Sequence, residues 1–163
     1  MRTTPIETKS LKLVPKTLEE VRCTFEAMSA SEKATVSADW LARLHAATSA
    51  DVWSHGFSLV HRGEDIKVGQ AGFTKPPAAD GVVEIAYGVA PAYQGKGYAT
   101  EAALALVAFA FNSGRVRVVR AHTLPETNAS TRVLTKCGFQ HIGEVIDPED
   151  GLVWRWEKRH EAA

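Results

Sequence analysis

The sequence predicts a mixed α/β (α+β) protein: a sheet of six or seven strands flanked by about four helices, in the order β-α-α-β-β-β-α-β-α-β-β. Three observations carry that reading. Apolar residues alternate at period two in several short runs and recur at helical spacing in others. Gly and Pro punctuate the boundaries between these runs, and no repeat, low-complexity stretch or long linker interrupts the 163 residues.

Residues 6–14 read as the first strand, with Leu11 and Leu13 alternating against Lys12 until Pro15. Thr17-Leu18-Glu19-Glu20 is a capping-box pattern, and Leu18, Val21, Phe25 and Met28 follow at helical spacing. Ser37 caps a second helix that carries Trp40, Leu41 and Leu44 on one face. Residues 57–61, 66–73 and 82–89 read as strands, the first two joined by the short hairpin loop Arg62-Gly63-Glu64-Asp65. A long helix over residues 97–112 is expected to turn Leu104, Val107 and Phe111 to one face and to stop at Gly114. A strand over 117–123 follows, then a helix over 128–137 with Val133, Leu134 and Cys137 inward, ended by Gly138. Strands over 139–145 and 152–158, joined by the turn Asp147-Pro148-Glu149-Asp150-Gly151, complete the order.

Composition narrows the function classes. With 45% hydrophobic and 23% charged residues, the chain is not disordered, collagen-like or coiled coil. Nineteen Lys+Arg against 19 Asp+Glu leave no net charge, which argues against a dedicated nucleic-acid binder. Two cysteines, Cys23 and Cys137, make no disulfide framework and fit a reduced setting. Residues 1–15 lack the apolar core of a signal peptide, and the most apolar stretch, 102–111, falls short of the ~20 residues of a membrane span. A cytoplasmic protein with no membrane or nucleic-acid partner is therefore expected.

The strongest functional signal is the junction of a strand with the long helix, Val89-Ala90-Pro91-Ala92-Tyr93-Gln94-Gly95-Lys96-Gly97-Tyr98-Ala99-Thr100-Glu101. Glycines let backbone approach a ligand closely, and the free N–H groups of a helix start favour an anion such as a pyrophosphate. An ordinary strand-to-helix turn would leave the same pattern. A Walker loop is excluded because Gly97, not Ser or Thr, follows Lys96. A Rossmann turn is excluded because Thr100 stands where a small residue belongs, and residues 117–120 offer no acidic side chain.

Gln94-Gly95-Lys96-Gly97-Tyr98-Ala99 resembles the Gln/Arg-x-x-Gly-x-Gly/Ala motif of the GNAT superfamily of N-acetyltransferases. Glu84-Ile85-Ala86-Tyr87 before it and Ala99-Thr100-Glu101-Ala102 after it extend the likeness. Downstream, Asn128-Ala129-Ser130-Thr131-Arg132-Val133-Leu134, leading to Lys136-Cys137-Gly138-Phe139, is similar to the RimJ/RimL-like branch of ribosomal-protein N-acetyltransferases. The resemblance covers residues 6–158, with motif-level similarity confined to 82–139. It implies a GNAT-like fold with a mostly antiparallel sheet, and a single N-acetyltransferase domain over residues 1–163. Acetyl-CoA would be the co-substrate, without a metal. The acceptor would be an amine, either a peptide N-terminus or a small molecule, and the protein a monomer or homodimer.

Carried over residue by residue, the resemblance puts the pyrophosphate of coenzyme A on Gln94, Gly95, Lys96, Gly97, Tyr98 and Ala99, with Thr100 adding its hydroxyl. Lys96 is either a phosphate partner or a solvated loop lysine. The backbone of residues 86–89, including Tyr87 and Val89, would hold the pantetheine arm. Deprotonating a Lys-like amine at pH 7 costs roughly 4 kcal/mol, and a protein α-amine only about 1 kcal/mol, so the acceptor sets how strong a base is needed.

Glu84 is the candidate base: on a strand it shares a face with Ala86 and Gly88, while Ile85, Tyr87 and Val89 point the other way. The competing reading is a surface glutamate. For the leaving thiol, the family's helix Asn and Tyr positions fall on Thr127 and Leu134, both departures. Ser130 matches the serine that the RimL-like branch carries near the thioester and is the first choice, with Tyr87, Tyr93 and Tyr98 behind it. Asn128 either contacts the cofactor or caps its helix. His122 reads as structural or as a groove residue, Cys137 as a small core residue, and the six histidines show no metal-ligand spacing. A non-catalytic acyl-CoA sensor or scaffold is the alternative to an enzyme. The acceptor is expected to be shaped by the first two helices, residues 17–50, and the loops around Pro76 and Pro148.

Overall fold

Strands form where β-branched and aromatic residues alternate with polar or small ones. In the computed structural model, which describes residues 4–47, 51–148 and 151–160, eight of them join one sheet. They are β1 (Ile6–Glu7), β2 (Leu11–Pro15), β3 (Phe57–His61), β4 (Lys67–Phe73), β5 (Val82–Val89), β6 (Val118–Thr123), β7 (Gln140–Asp147) and β8 (Gly151–Arg159). Their spatial order is β1-β2-β3-β4-β5-β6-β8-β7. Neighbours are antiparallel except β5 and β6, whose parallel register runs from Val82↔Val118 to Glu84↔Arg120 and then ends. Beyond Glu84 the two strands part, and a cleft opens in the middle of the sheet.

Six helices connect the strands: α1 (Leu18–Glu26), α2 (Ala30–Lys33), α3 (Ala38–Ala46), α4 (Val52–His55), α5 (Tyr98–Asn112) and α6 (Ala129–Lys136). A side chain caps five of them: Thr17, Ser29, Ser37, Asp51 and Asn128 each accept a backbone N–H of their own first turn. None of the helices is long and apolar enough to cross a membrane. The main core packs α5 against the sheet, joining Leu106, Val107 and Ala110 to Phe57, Leu59, Val83 and Ile85. A smaller cluster, Val21, Phe25 and Leu44, holds α1 to α3.

The mostly antiparallel mixed architecture agrees with the sequence, but four details differ. The expected strand over residues 6–14 is a hairpin of β1 and β2, because Glu101 of α5 captures the intervening turn: its Oε1 accepts from Thr8 Oγ1 at 2.6 Å and from Ser10 N at 2.8 Å. The strand count is therefore eight rather than six or seven. The helix count is six rather than four, since the single turns α2 and α4 are too short for apolar periodicity to register. Leu104 is 44% exposed rather than inward. The helix is apolar on nearly all sides, so its sequence does not say which face meets the sheet. Of the expected 147–151 turn, Glu149 and Asp150 lie outside the described residues.

Candidate active site

At the end of β5 the chain makes one 3-10 turn, Pro91–Tyr93, and Gln94 reaches back so that its Nε2 donates to Val89 O at 2.9 Å. The loop then passes through Gly95 and Gly97 at φ 79° and 84°. A left-handed step costs an ordinary L-residue roughly 1–2 kcal/mol, so glycine serves both positions. Gly97 is the N-cap of α5 and offers no side chain to the helix. The free N–H groups of the first turn therefore lie open, at the positive end of a 15-residue helix.

They open onto a cavity of about 470 Å³. One wall is the end of β5 and the loop: Tyr87, Gly88, Val89, Gln94, Gly95 and Gly97. The other is the face of α6 that carries Ser130, Arg132 and Lys136. Tyr98, Ala99 and Thr100 line it from the start of α5. Arg132 and Lys136 are cations that the sequence reading missed; the only cue was their spacing at i and i+4. Lys96 is exposed and outside the lining.

Ser130 and Tyr87 come together from α6 and β5. Burial pushes the Tyr87 phenol up to about 12, with a smaller opposing effect from its hydrogen bond with Ser130. Asn128 does not line the cavity: its Oδ1 accepts from Thr131 N at 3.0 Å while Thr131 Oγ1 accepts from Asn128 N at 2.9 Å. Leu134 is 1% exposed, and Cys137 is buried beside Thr100, as a core residue should be.

Glu84 sits where β5 and β6 begin to part, on the same face as Ala86 and Gly88, opposite the buried Val83 and Ile85. Its Oε2 lies 3.0 Å from His122 Nδ1. His122 Nε2 in turn accepts from Arg155 Nε at 3.1 Å. A guanidinium donates only, so the ring proton sits on Nδ1 and is donated to Glu84. Beside this chain, Arg120 Nη2 and Nε both donate to Glu157 Oε2, at 2.8 and 2.9 Å. Glu84 is thus held through one carboxylate oxygen by a row reaching across β6 to β8. The sequence singled out Glu84, and His122 as structural or a groove residue, but not their link or Arg155, which strand pairing brings together.

A second cavity of about 380 Å³ lies between α1, α3 and the sheet, and it meets the first at Tyr87 and Gly88.

The acetyltransferase (GNAT) domain model matches residues 11–140. The chain belongs to the GNAT acetyltransferase family. An uncharacterized N-acetyltransferase of Bacillus licheniformis is 31% identical over 93 residues, a match covering 57% of this chain and 52% of that protein. The chain thus spans about half the length of the curated relatives it matches. Among solved structures, a GNAT-family acetyltransferase from Bordetella pertussis superposes with a TM-score of 0.69 at 24% identity, covering 96% of this chain and 99% of that one. RimL, a ribosomal-protein α-N-acetyltransferase solved with coenzyme A, gives 0.70 at 14% identity, covering 98% and 100%. At these identities the likeness is one of fold. Within this GNAT chain the glycine loop, Ser130 and Tyr87 share one cavity, whereas Glu84 lines neither cavity.

Proposed function

We propose that this GNAT-family protein is an acetyl-CoA-dependent N-acetyltransferase acting by direct attack of a primary amine within a ternary complex. One observation carries the reading: two cavities, one floored by an uncapped helix start and one apolar, meet at Tyr87 and Gly88. Donor and acceptor entering from opposite sides would bring a thioester and an amine together at that point.

The chain's residues divide the work. The N–H groups of Gly97, Tyr98, Ala99 and Thr100 bind the pyrophosphate, with Arg132 and Lys136 supplying positive charge across the cavity. The backbone of β5 from Tyr87 to Val89 holds the pantetheine arm. Bound acetyl-CoA supplies an activated acyl group on a good leaving thiol. Glu84, kept oriented by His122, accepts the amine proton through a chain of waters, because its Cα lies one and two strand repeats, roughly 7 and 13 Å, from those of Ala86 and Gly88. Ser130 and Tyr87 steady the departing sulfur by hydrogen bonding. A phenol near 12 is too weak an acid to protonate a thiolate whose ordinary pKa is about 8.5, so Tyr87 acts as a donor rather than a proton source.

Leu134, standing where the family's helix tyrosine belongs, favours the second reading, an acyl-CoA-binding sensor without turnover. Calorimetry with acetyl-CoA followed by thiol release against a panel of amines separates the two. Binding with turnover supports the enzyme, binding without turnover the sensor, and no binding overturns both. Glu84→Gln should leave acetyl-CoA affinity unchanged and lower turnover roughly 10- to 100-fold; unchanged turnover removes Glu84 from the mechanism.

A further inference from the structure

The cavity between α1, α3 and the sheet has a chemistry of its own. Its walls are apolar and aromatic: Phe25 and Trp40, with ring centroids 6.2 Å apart, Met28 from the end of α1, and Phe73 from β4. No Asp or Glu lines it. Its one cationic side chain is Lys16, just past β2, whose Nζ donates to Gln70 Oε1 at 2.7 Å. Gln70 is the cross-strand partner of Gly88, so the ammonium is tied through a side chain to the strand beside the point where the two cavities meet. His55, the other basic residue on the wall, is buried and accepts the Asp51 N–H at Nδ1. Burial pushes its pKa below the usual histidine range, so it adds no charge at neutral pH.

We propose that this cavity takes as acceptor an amine with an apolar body and a neighbouring carboxylate, an apolar α-amino acid, and that Lys16 determines this specificity by pairing with the carboxylate. The inference rests on the acetyltransferase reading. Lys16 makes no salt bridge among the described residues, and Gln70 meets its ammonium with a neutral oxygen only. Burial lowers its pKa, Lys67 adds to that effect, and Glu20 opposes it from a carboxylate already committed to the Thr17 cap. At this half-exposed ammonium a ligand carboxylate supplies a counter-charge that no described side chain provides. It also fixes the amine one carbon away, toward Gly88, and the nearby ammonium favours the amine's neutral, attacking form. A polyamine or aminoglycoside carries several ammonium groups, and this wall has no carboxylate to receive the ones that do not react.

The test measures kcat/KM for L-leucine and L-phenylalanine, their amides, a leucine-initiated peptide, spermidine and kanamycin. Wild type, Lys16→Met and Lys16→Arg are compared after their melting curves establish folding. The expected result is a preference of about tenfold or more for the free acids over the amides. Lys16→Met should collapse that ratio to near one, and Lys16→Arg should keep most of it. Preference for amides, the peptide or the polycations overturns the inference while leaving the acetyltransferase reading intact, as does an acid-to-amide ratio that survives Lys16→Met. Acetyl-CoA binding without turnover of any amine overturns both. Should Lys16→Met fail to fold, the wild-type ratio decides alone.

Discussion

The N-termini of α5 and α6 face one cavity and treat their free N–H groups in opposite ways. At α6 a reciprocal box between Asn128 and Thr131 satisfies two of the four donors, leaving those of Ala129 and Ser130 toward the cavity. At α5 the cap is Gly97 in the left-handed region, with no side chain to spend on the helix. Among the described residues five of six helices are capped by a side chain, so the bare one stands out. A capped terminus contributes stability; a bare one beside a cavity is free to bind an anion. The difference between two short segments therefore separates a capped helix start from the one proposed to bind the anion.

Three substitutions break or sharpen that contrast. Gly97→Val puts a β-branched residue at φ 84° and should displace the loop. Losing even one charge-assisted hydrogen bond predicts a fall in acetyl-CoA affinity of roughly 10- to 100-fold by calorimetry. Gln94→Ala removes the tie to Val89 O, loosening the loop without touching the helix start. Its expected effect is a loss of affinity of about fivefold, read in the same titration. Asn128→Ala should change affinity less than about twofold while costing about 1 kcal/mol of stability, a melting shift of roughly 2–4 °C. If instead Asn128→Ala weakens binding as strongly as Gly97→Val, the contrast between the two termini is wrong.

The contrast also explains what could be read in the chain beforehand. The β5–loop–α5 junction is local: strand alternation, two glycines and a helix occupy some thirty consecutive residues, and each leaves its mark in order. Strand ends such as Phe57–His61 and Val82–Val89 were legible for the same reason. The rest depends on partners distant in sequence. Glu101 breaks the first strand from more than ninety residues away. His122 and Arg155, which hold Glu84, are 33 residues apart and become neighbours only through pairing of β6 with β8. The cavity proposed for the acceptor draws on α1, α3, β4 and β5, none of which carries a motif for it. The faces of α5 were illegible for another reason: Ala102 to Phe111 is apolar on every side, and packing alone decided that Leu104 faces out.

The central claim is that the bare start of α5, rather than the capped start of α6, receives the pyrophosphate. Backbone amide chemical shifts recorded while acetyl-CoA is titrated into the labelled protein test it most directly. The account predicts the largest shifts at the amides of Gly97, Tyr98, Ala99 and Thr100, with those of Asn128 and Thr131 nearly still. Large shifts at Asn128 and Thr131, with the α5 amides unmoved, would contradict it.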